Sequence, residues 1–519
     1  MKRISKTTAI FGIFGIIICF SGCNLDPVSY TEINPSIFPK TEADLQAMVL
    51  SCYNPLRGSW GNPGGINSTS ERGQMFVNDA CTEIIMGKFG PQKLCTEMSY
   101  TENSEEITRF YYIREEPYGF YGKISRCTLV KDAIENSTLS EDKKTKYIAE
   151  VSCARAFLSY ILFDMFGPLV VAPLEVLKNP LDETPLPRLS NEEMVKFIED
   201  DLLFAADHLP KPREAEYGRF SSGLAKMLLI RLYLHETVND KSYYDKVETL
   251  AREMMVPSFG YSLVTDYPSL FEFKGQTAAN PEYIFVVPCN YEGTSQNQWH
   301  MMVMPPDIDG PVKGWQTHQS SWWFYDSFEP NDTRKTYLIP SYMTVPDSKT
   351  GIAKLVNRAD PGQTLDLGPI PQKYEMDPGV VSNNNYSDLD IVIYRYADVI
   401  LSLAEAVVMK PGGSVTQEAV DLMNTIRKRA KLDDKKLVDF PTKEVFIDQL
   451  LTERSHEFWC ESGQYRADLI RFDKLYDRVM LLNNNIAPYA SKDKYLFPLP
   501  LSVIVDGKGK VIQNKGYNN

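Results

Sequence analysis

Four of the six tryptophans, Trp299, Trp315, Trp322 and Trp323, crowd one stretch of the chain, and only Trp60 and Trp459 lie elsewhere. Asn290, Gln296, Asn297, Gln298, His300, Gln316, His318 and Gln319 surround them, and nearly all are neutral at pH 7. Flat rings stack on the C–H faces of pyranose rings, while amides and imidazoles bond hydroxyls without needing a ligand charge. Pro305, Pro306 and Pro311 stiffen the loops between them, which lowers the entropy lost on binding. The chemistry on offer is binding of a neutral, hydroxyl-rich ligand. The same rings could instead pack the core of their own region. Trp299 and Trp315 stand in Gly- and Pro-rich, loop-like surroundings and are the leading contact candidates, with Asn297 and His300 beside them. The run SSWWFYDSF, residues 320–328, reads as a helix start and places at least one of Trp322 and Trp323 in the core. Trp322, Tyr291 and Trp60 complete the candidate set.

Carboxylates offer a second chemistry. Glu453, Glu457, Glu461 and Asp468 invite a paired-carboxylate, glycosidase-like reading. The three glutamates recur every four residues with Arg454, Arg466 and Arg471 interleaved, which is the layout of a salt-bridge network between packed helices. The acids between Asp79 and Glu83 could bond hydroxyls or anchor an N-terminal loop. The five histidines are scattered without a metal-binding spacing, and Asp307-Ile308-Asp309-Gly310 lacks the later ligands of a calcium loop. Neither a nucleophile elbow nor a phosphate-binding loop occurs. The sequence predicts no catalytic residue, metal or cofactor.

Positioning these groups requires a folded body, and the composition supplies one. Hydrophobic residues make up 43% and charged residues 24% of 519, the proportions of a globular protein. Net charge is −13, and −16 without the first 22 residues, which carry Lys2, Arg3 and Lys6 and no acid. An acidic surface argues against nucleic acid as a partner. Residues 1–22 read as a signal peptide, with a basic start and an apolar run over 9–20. Phe20-Ser21-Gly22-Cys23 has the form of a lipobox, which predicts acylation at Cys23. Several acyl chains there give a stable membrane anchor, at about 0.8 kcal/mol per buried methylene. Seven cysteines follow (Cys52, Cys81, Cys95, Cys127, Cys153, Cys289 and Cys460), without a CxxC pair. Most read as small buried hydrophobes, with one disulfide, Cys81 to Cys95, left open.

Helical periodicity dominates the first half. Residues 41–53 carry Thr41 and Asp44 as a cap, and Ser190 with Glu193 makes a capping box for 191–207. Residues 57–105 read as loop-rich. Helices are expected at 118–134, 222–235 and 243–255. The strongest lies within 145–168, where Val151, Ala154, Leu158, Ile161 and Met165 form one stripe and Phe157, Tyr160 and Phe163 load the other faces. Gly167-Pro168 stops it. A strand is expected at 282–288. From 289 to 394 helix signals fade, and helices return from 396 onward.

Within that strongest helix, Arg155-Ala156, Tyr160 and Asp164-Met165-Phe166-Gly167-Pro168 resemble the signature helix of the SusD/RagB family of Bacteroidetes outer-membrane lipoproteins. Further matches are Arg395-Tyr396-Ala397 with Ala404-Glu405-Ala406, residues Asn424 to Ala430, Glu453-Arg454, Arg466, Asp468-Leu469 and the tail Gln513 to Tyr517. Cys127 stands where the family usually has Asn, and Lys515 where it usually has Pro. The resemblance implies a mainly α, SusD-like fold, a tetratricopeptide-like helical scaffold plus an irregular ligand-binding region. It divides the chain into a signal peptide, 1–22, an N-terminal helical region, 23–280, and a C-terminal region, 281–519, irregular over 281–394. It further implies a cell-surface lipoprotein of the outer membrane that captures a glycan, without cleaving it, and hands it to a SusC-like TonB-dependent transporter. Capture of peptides or another nutrient by the same lid mechanism, and a lipoprotein glycosidase, are the alternatives.

Overall fold

The computed structural model describes residues 39, 41–59, 64–111, 119–179, 181–182, 184–293, 295–360, 364–377, 379–380, 386–482 and 487–518. Residues 1–38, with Cys23, lie outside them, as does Trp60.

The strongest sequence helix spans Glu141–Phe166. Because it is apolar on several faces it needs several neighbours, and the helices Tyr121–Glu135 and Asn191–His208 both pack on it. Phe157, Leu158, Leu162, Phe163 and Phe166 are fully buried, each stabilising the fold by roughly 1.5–3 kcal/mol. Arg155 ties the three helices together. Its guanidinium donates to both Asp201 oxygens at 2.6 and 2.8 Å and to Thr128 Oγ1 at 2.8 Å. The helix stops at Gly167, whose φ of +74° is open to glycine at little cost. Its last carbonyls are satisfied from far away in sequence. Arg188 donates to the Phe166 and Pro168 oxygens, each at 2.6 Å, and Asn514 Nδ2 donates to Phe166 O at 2.9 Å. The tail motif thus caps the signature helix.

From there the helices stack in chain order. Asn191–His208 packs on Ser222–Glu236, which packs on Tyr243–Met255. The stack then skips the irregular region: Tyr243–Met255 packs on Tyr396–Met409, and that on Gln417–Arg429. The strands Tyr283–Val287 and Ile391–Arg395 pair antiparallel, so the chain leaves and re-enters the stack at one place. Both expected capping boxes are present, Thr41 with Asp44 and Ser190 with Glu193. The stretch 57–105 is less loop-like than expected. It holds the helices Gln74–Asp79 and Gly90–Glu97 and a strand, Ile85–Gly87, paired with His318–Ser320. A six-residue helix has little stability of its own. Every residue of Gln74–Asp79 is buried, and the helix packs on Gln464–Arg471, so tertiary contacts hold it.

Beneath the stack runs a buried ionic network. Glu457 meets Arg395 at 2.9 Å, Arg334 at 3.2 Å and also Arg429. Glu453 meets Arg334 at 2.7 Å and Arg427 at 3.2 Å, while Glu461 meets Lys373 at 2.6 Å and Arg395 at 2.7 Å. Asp468 meets Arg454 at 2.7 Å and both Arg231 and Arg471 at 3.0 Å. All four carboxylates are buried. Burial alone would raise their pKa values, but at Glu457 the charges of Arg429, Arg395 and Arg334 prevail and hold it well below the usual carboxylate range. Asp468 is held down in the same way by Arg231, Arg454 and Arg471. An ionic network is therefore present, but the three glutamates pair with Arg334, Arg395, Arg427, Arg429 and Lys373 rather than with the interleaved Arg454, Arg466 and Arg471, so these acids face cations rather than a cleft.

Candidate ligand-binding site

The segment Asn297–His300 forms a buried seat. Asn297 Oδ1 accepts from Thr69 Oγ1 at 3.2 Å and from the Trp299 N–H at 2.9 Å, and Asn297 Nδ2 donates to Leu389 O at 3.0 Å. Its backbone pairs with Ser387 in both directions. Trp299 is fully buried in the short helix Trp299–Val303. Its indole N–H donates to Pro371 O at 2.9 Å, and its ring lies against His318 and Tyr374. His300 Nε2 sits 3.2 Å from Tyr374 O, and burial lowers its pKa to about 4, so the ring is neutral at pH 7.

These placements correct the expectation for three residues. Asn297, Trp299 and His300 are buried rather than presented to a ligand in this geometry, with the Asn297 amide and the Trp299 N–H bonded to the interior. The prolines and glycine that suggested exposure, Pro305, Pro306, Gly310 and Pro311, follow the buried helix Trp299–Val303.

Trp315 is different. It is 50% exposed, and its backbone N–H donates to Met301 O at 2.7 Å. Residues on either side fix it. A Cβ on Gly314 would come within 2.5 Å of Met301 O and 2.6 Å of Met304 O, so only glycine can lie that close. Gln316, in the left-handed region at φ +49°, turns the chain back into the interior, where its side chain is buried. The tryptophan is thereby turned outward at the apex of a constrained loop.

Tyr291 occupies the other end of the same seat. Its N–H donates to Asp388 Oδ1 at 2.6 Å, its carbonyl accepts from Gln296 Nε2 at 2.7 Å, and its half-buried ring carries the hydroxyl to Glu292 at 2.9 Å. Gly58 N–H donates to Ser295 Oγ at 3.0 Å, which brings the strand of chain before Trp60 to this loop. Trp322 is partly exposed, but its ring is occupied. Arg358 lies 4.7 Å above it, Tyr325 meets it edge-on, and its N–H donates to Leu365 O at 2.9 Å.

One feature was missed in the sequence. The hairpin strands Ser341–Met343 and Leu355–Asn357 pair Met343 with Leu355, and both side chains are about half exposed. The hairpin joins the Trp315 loop through the Ile308–Thr344 bridge and the bond from Asp309 N–H to Met343 O at 2.8 Å. The signal was the alternation of buried Tyr342 and Val356 with exposed neighbours, too short to stand out among proline and glycine.

The acids at 79 and 83 anchor rather than bind. Asp79 Oδ2 accepts from the Cys460 N–H at 2.9 Å, and Glu83 Oε1 accepts from Tyr465 OH at 2.6 Å. Burial pushes the Asp79 pKa up to about 7, with Glu461 and Glu83 adding to the rise and Lys373 opposing it. The folded state therefore holds this proton more tightly than the unfolded chain, and stability falls as pH rises from about 4 through about 7. Asp79→Asn keeps an acceptor for Cys460 and removes the charge. The variant is expected to melt above the wild type at pH 8, by at most about 4 kcal/mol of stability, the difference vanishing near pH 4. Equal gains at both pH values would show that folding leaves the Asp79 pKa unshifted.

Among known proteins, residues 341–517 match the SusD family. A SusD-like protein of Bacteroides ovatus is 25% identical, over 71% of this chain and 67% of its own. The starch-binding protein SusD of Bacteroides thetaiotaomicron is 24% identical, over 81% and 80%. Residues 341–517 belong to the SusD/RagB family. The chain's fold is shared with a SusD superfamily protein from Parabacteroides distasonis, with TM-score 0.74 at 23% identity, covering 92% of this chain and all of that one. Surface glycan-binding protein A from Bacteroides thetaiotaomicron, in complex with laminarihexaose, gives 0.71 at 18% identity, over 92% of this chain and all of its own. In this chain the motif residues Arg155, Arg395, Arg427, Glu453, Arg454, Asp468 and Asn514 all serve the scaffold, as helix ties, ionic core or helix cap. The exposed rings lie outside those motifs. No helix among the described residues is long and apolar enough to cross a membrane.

Proposed function

We propose that this protein is a cell-surface lipoprotein, anchored to the outer membrane through Cys23, that binds a neutral oligo- or polysaccharide. It delivers the ligand to a SusC-like TonB-dependent transporter, and its work is capture without bond cleavage. The observation that carries the reading is Trp315, an exposed ring on a loop constrained at both sides, with Tyr291 at the other end of the same buried seat. A ring held in advance loses little entropy when a sugar stacks on it. Close to these rings in sequence stand Glu292, Asp307, Asp309 and Lys313, and Asp388 accepts from the Tyr291 N–H, an acidic balance that disfavours an anionic ligand. The relative named for starch binding and the fold neighbour solved with laminarihexaose support a glycan as the ligand class.

Affinity electrophoresis against soluble polysaccharides tests the reading. A neutral polysaccharide is expected to retard the protein with little dependence on salt. Trp315→Ala should weaken that binding by about thirtyfold, the value of roughly 2 kcal/mol at an aromatic anchor, while the melting temperature stays put. Undiminished retardation of Trp315→Ala would remove the site. Failure of every glycan to retard the wild type would transfer the function to peptide capture.

A further inference from the structure

We propose that Cys52 and Cys127 are a disulfide-forming pair, closed when the chain folds under oxidising conditions, that pins the first described helix to the helical stack. Cys52 terminates the helix Glu42–Ser51, and Cys127 lies on Tyr121–Glu135, which packs against it. The residues just before the two cysteines are joined side chain to side chain, Arg126 Nε donating to Ser51 Oγ at 3.0 Å. That bond joins the two elements one residue before each cysteine. Both are buried, and both are thiols in this structure. The facing thiol is the largest influence on each, ahead of burial, lowering the Cys52 pKa and raising that of Cys127, while the Cys52 thiol also donates to Met48 O at 3.5 Å. Cys52 is therefore the thiol that loses its proton first.

The chemistry needs a disulfide oxidant, for which oxidised glutathione is the probe. The Cys52 thiolate attacks it, forming a mixed disulfide and releasing one glutathione thiolate. Cys127, giving up its proton, then attacks the Cys52 sulfur and releases the second. Two thiols are oxidised, one disulfide is reduced, and two protons leave. Burial makes this a reaction of the folding chain and shields the product afterwards.

The pin has a mechanical use. The helix Glu42–Ser51 buries only Leu45 and Val49, so few contacts hold it to the body. A lipid at Cys23 would pull on that helix first. This role rests on the anchored-lipoprotein reading, whereas the cross-link does not.

The test is a peptide map. Full-length chain is refolded in detergent with oxidised and reduced glutathione, alkylated while denatured, and digested without reduction. The expected result is a reducible peptide pair joining Cys52 to Cys127, with neither residue alkylated. Alkylation of both would overturn the proposal, as would a pairing of either with another cysteine. Limited proteolysis adds a second reading: reduction is expected to speed cleavage around residues 51–59 in the wild type and to leave Cys127→Ala unaffected. An equal response in both would also overturn it. The anchor is scored separately, by whether Cys23→Ala moves to the aqueous phase.

Discussion

Replacing Glu457 with alanine is expected to remove about 3–5 kcal/mol of folding stability, the typical cost of breaking a buried ion pair by deleting one partner. The reason is the company it keeps. Arg395, Arg334 and Arg429 all converge on this one carboxylate, and all are buried. Without it their remaining partners, Glu282, Asp332, Glu453 and Glu461, must balance the charge alone. Urea unfolding checks this, through a lowered midpoint at unchanged slope. An exposed pair provides the contrast. Arg252 and Glu418 are each nearly half exposed at 2.7 Å, so Glu418→Ala is expected to cost less than about 1 kcal/mol. Equal midpoints for the two variants would show that the network contributes no more than a surface pair. The sign of the acid response follows. Because the Glu457 and Asp468 pKa values are depressed on folding, their contribution is complete above the ordinary carboxylate pKa, near 4, and is lost as pH falls below it.

Trp299→Ala is expected to cost about 3–5 kcal/mol, from the lost burial of an indole and the cavity left behind. Pro371 O would also lose its donor. Differential scanning calorimetry should show a lowered melting temperature, and at a temperature where the variant remains folded its glycan retardation should match the wild type. This is the reverse of Trp315→Ala. A stable Trp299→Ala that no longer binds would exchange the roles of the two rings.

The contrast between those two tryptophans marks where local reasoning ends. Helix Glu141–Phe166 was legible because its information is local: apolar residues at three- and four-residue steps, a glycine stop, and neighbours required on several faces. The two capping boxes, Thr41 with Asp44 and Ser190 with Glu193, were legible for the same reason, since donor and acceptor are three residues apart. The carboxylates at four-residue steps read as an ionic network, which the structure bears out, although their arginine partners Arg334 and Arg395 lie far back in the chain.

Trp299 and Trp315 looked alike in sequence because both sit among glycine, proline and amides. Their fates were decided by groups that are distant or tightly apposed: the Pro371 carbonyl 72 residues away, the Tyr374 ring, and the Met301 and Met304 carbonyls that exclude a side chain at Gly314. The helix Gln74–Asp79 is a similar case, held by burial against Gln464–Arg471 rather than by its own periodicity. By itself the sequence determined the helical scaffold, whose signals repeat within a turn or two of helix, while the cations of its ionic core come from distant segments. Which aromatic ring faces solvent was decided only by tertiary structure, because in an irregular region a side chain's direction is set by contacts made across the fold.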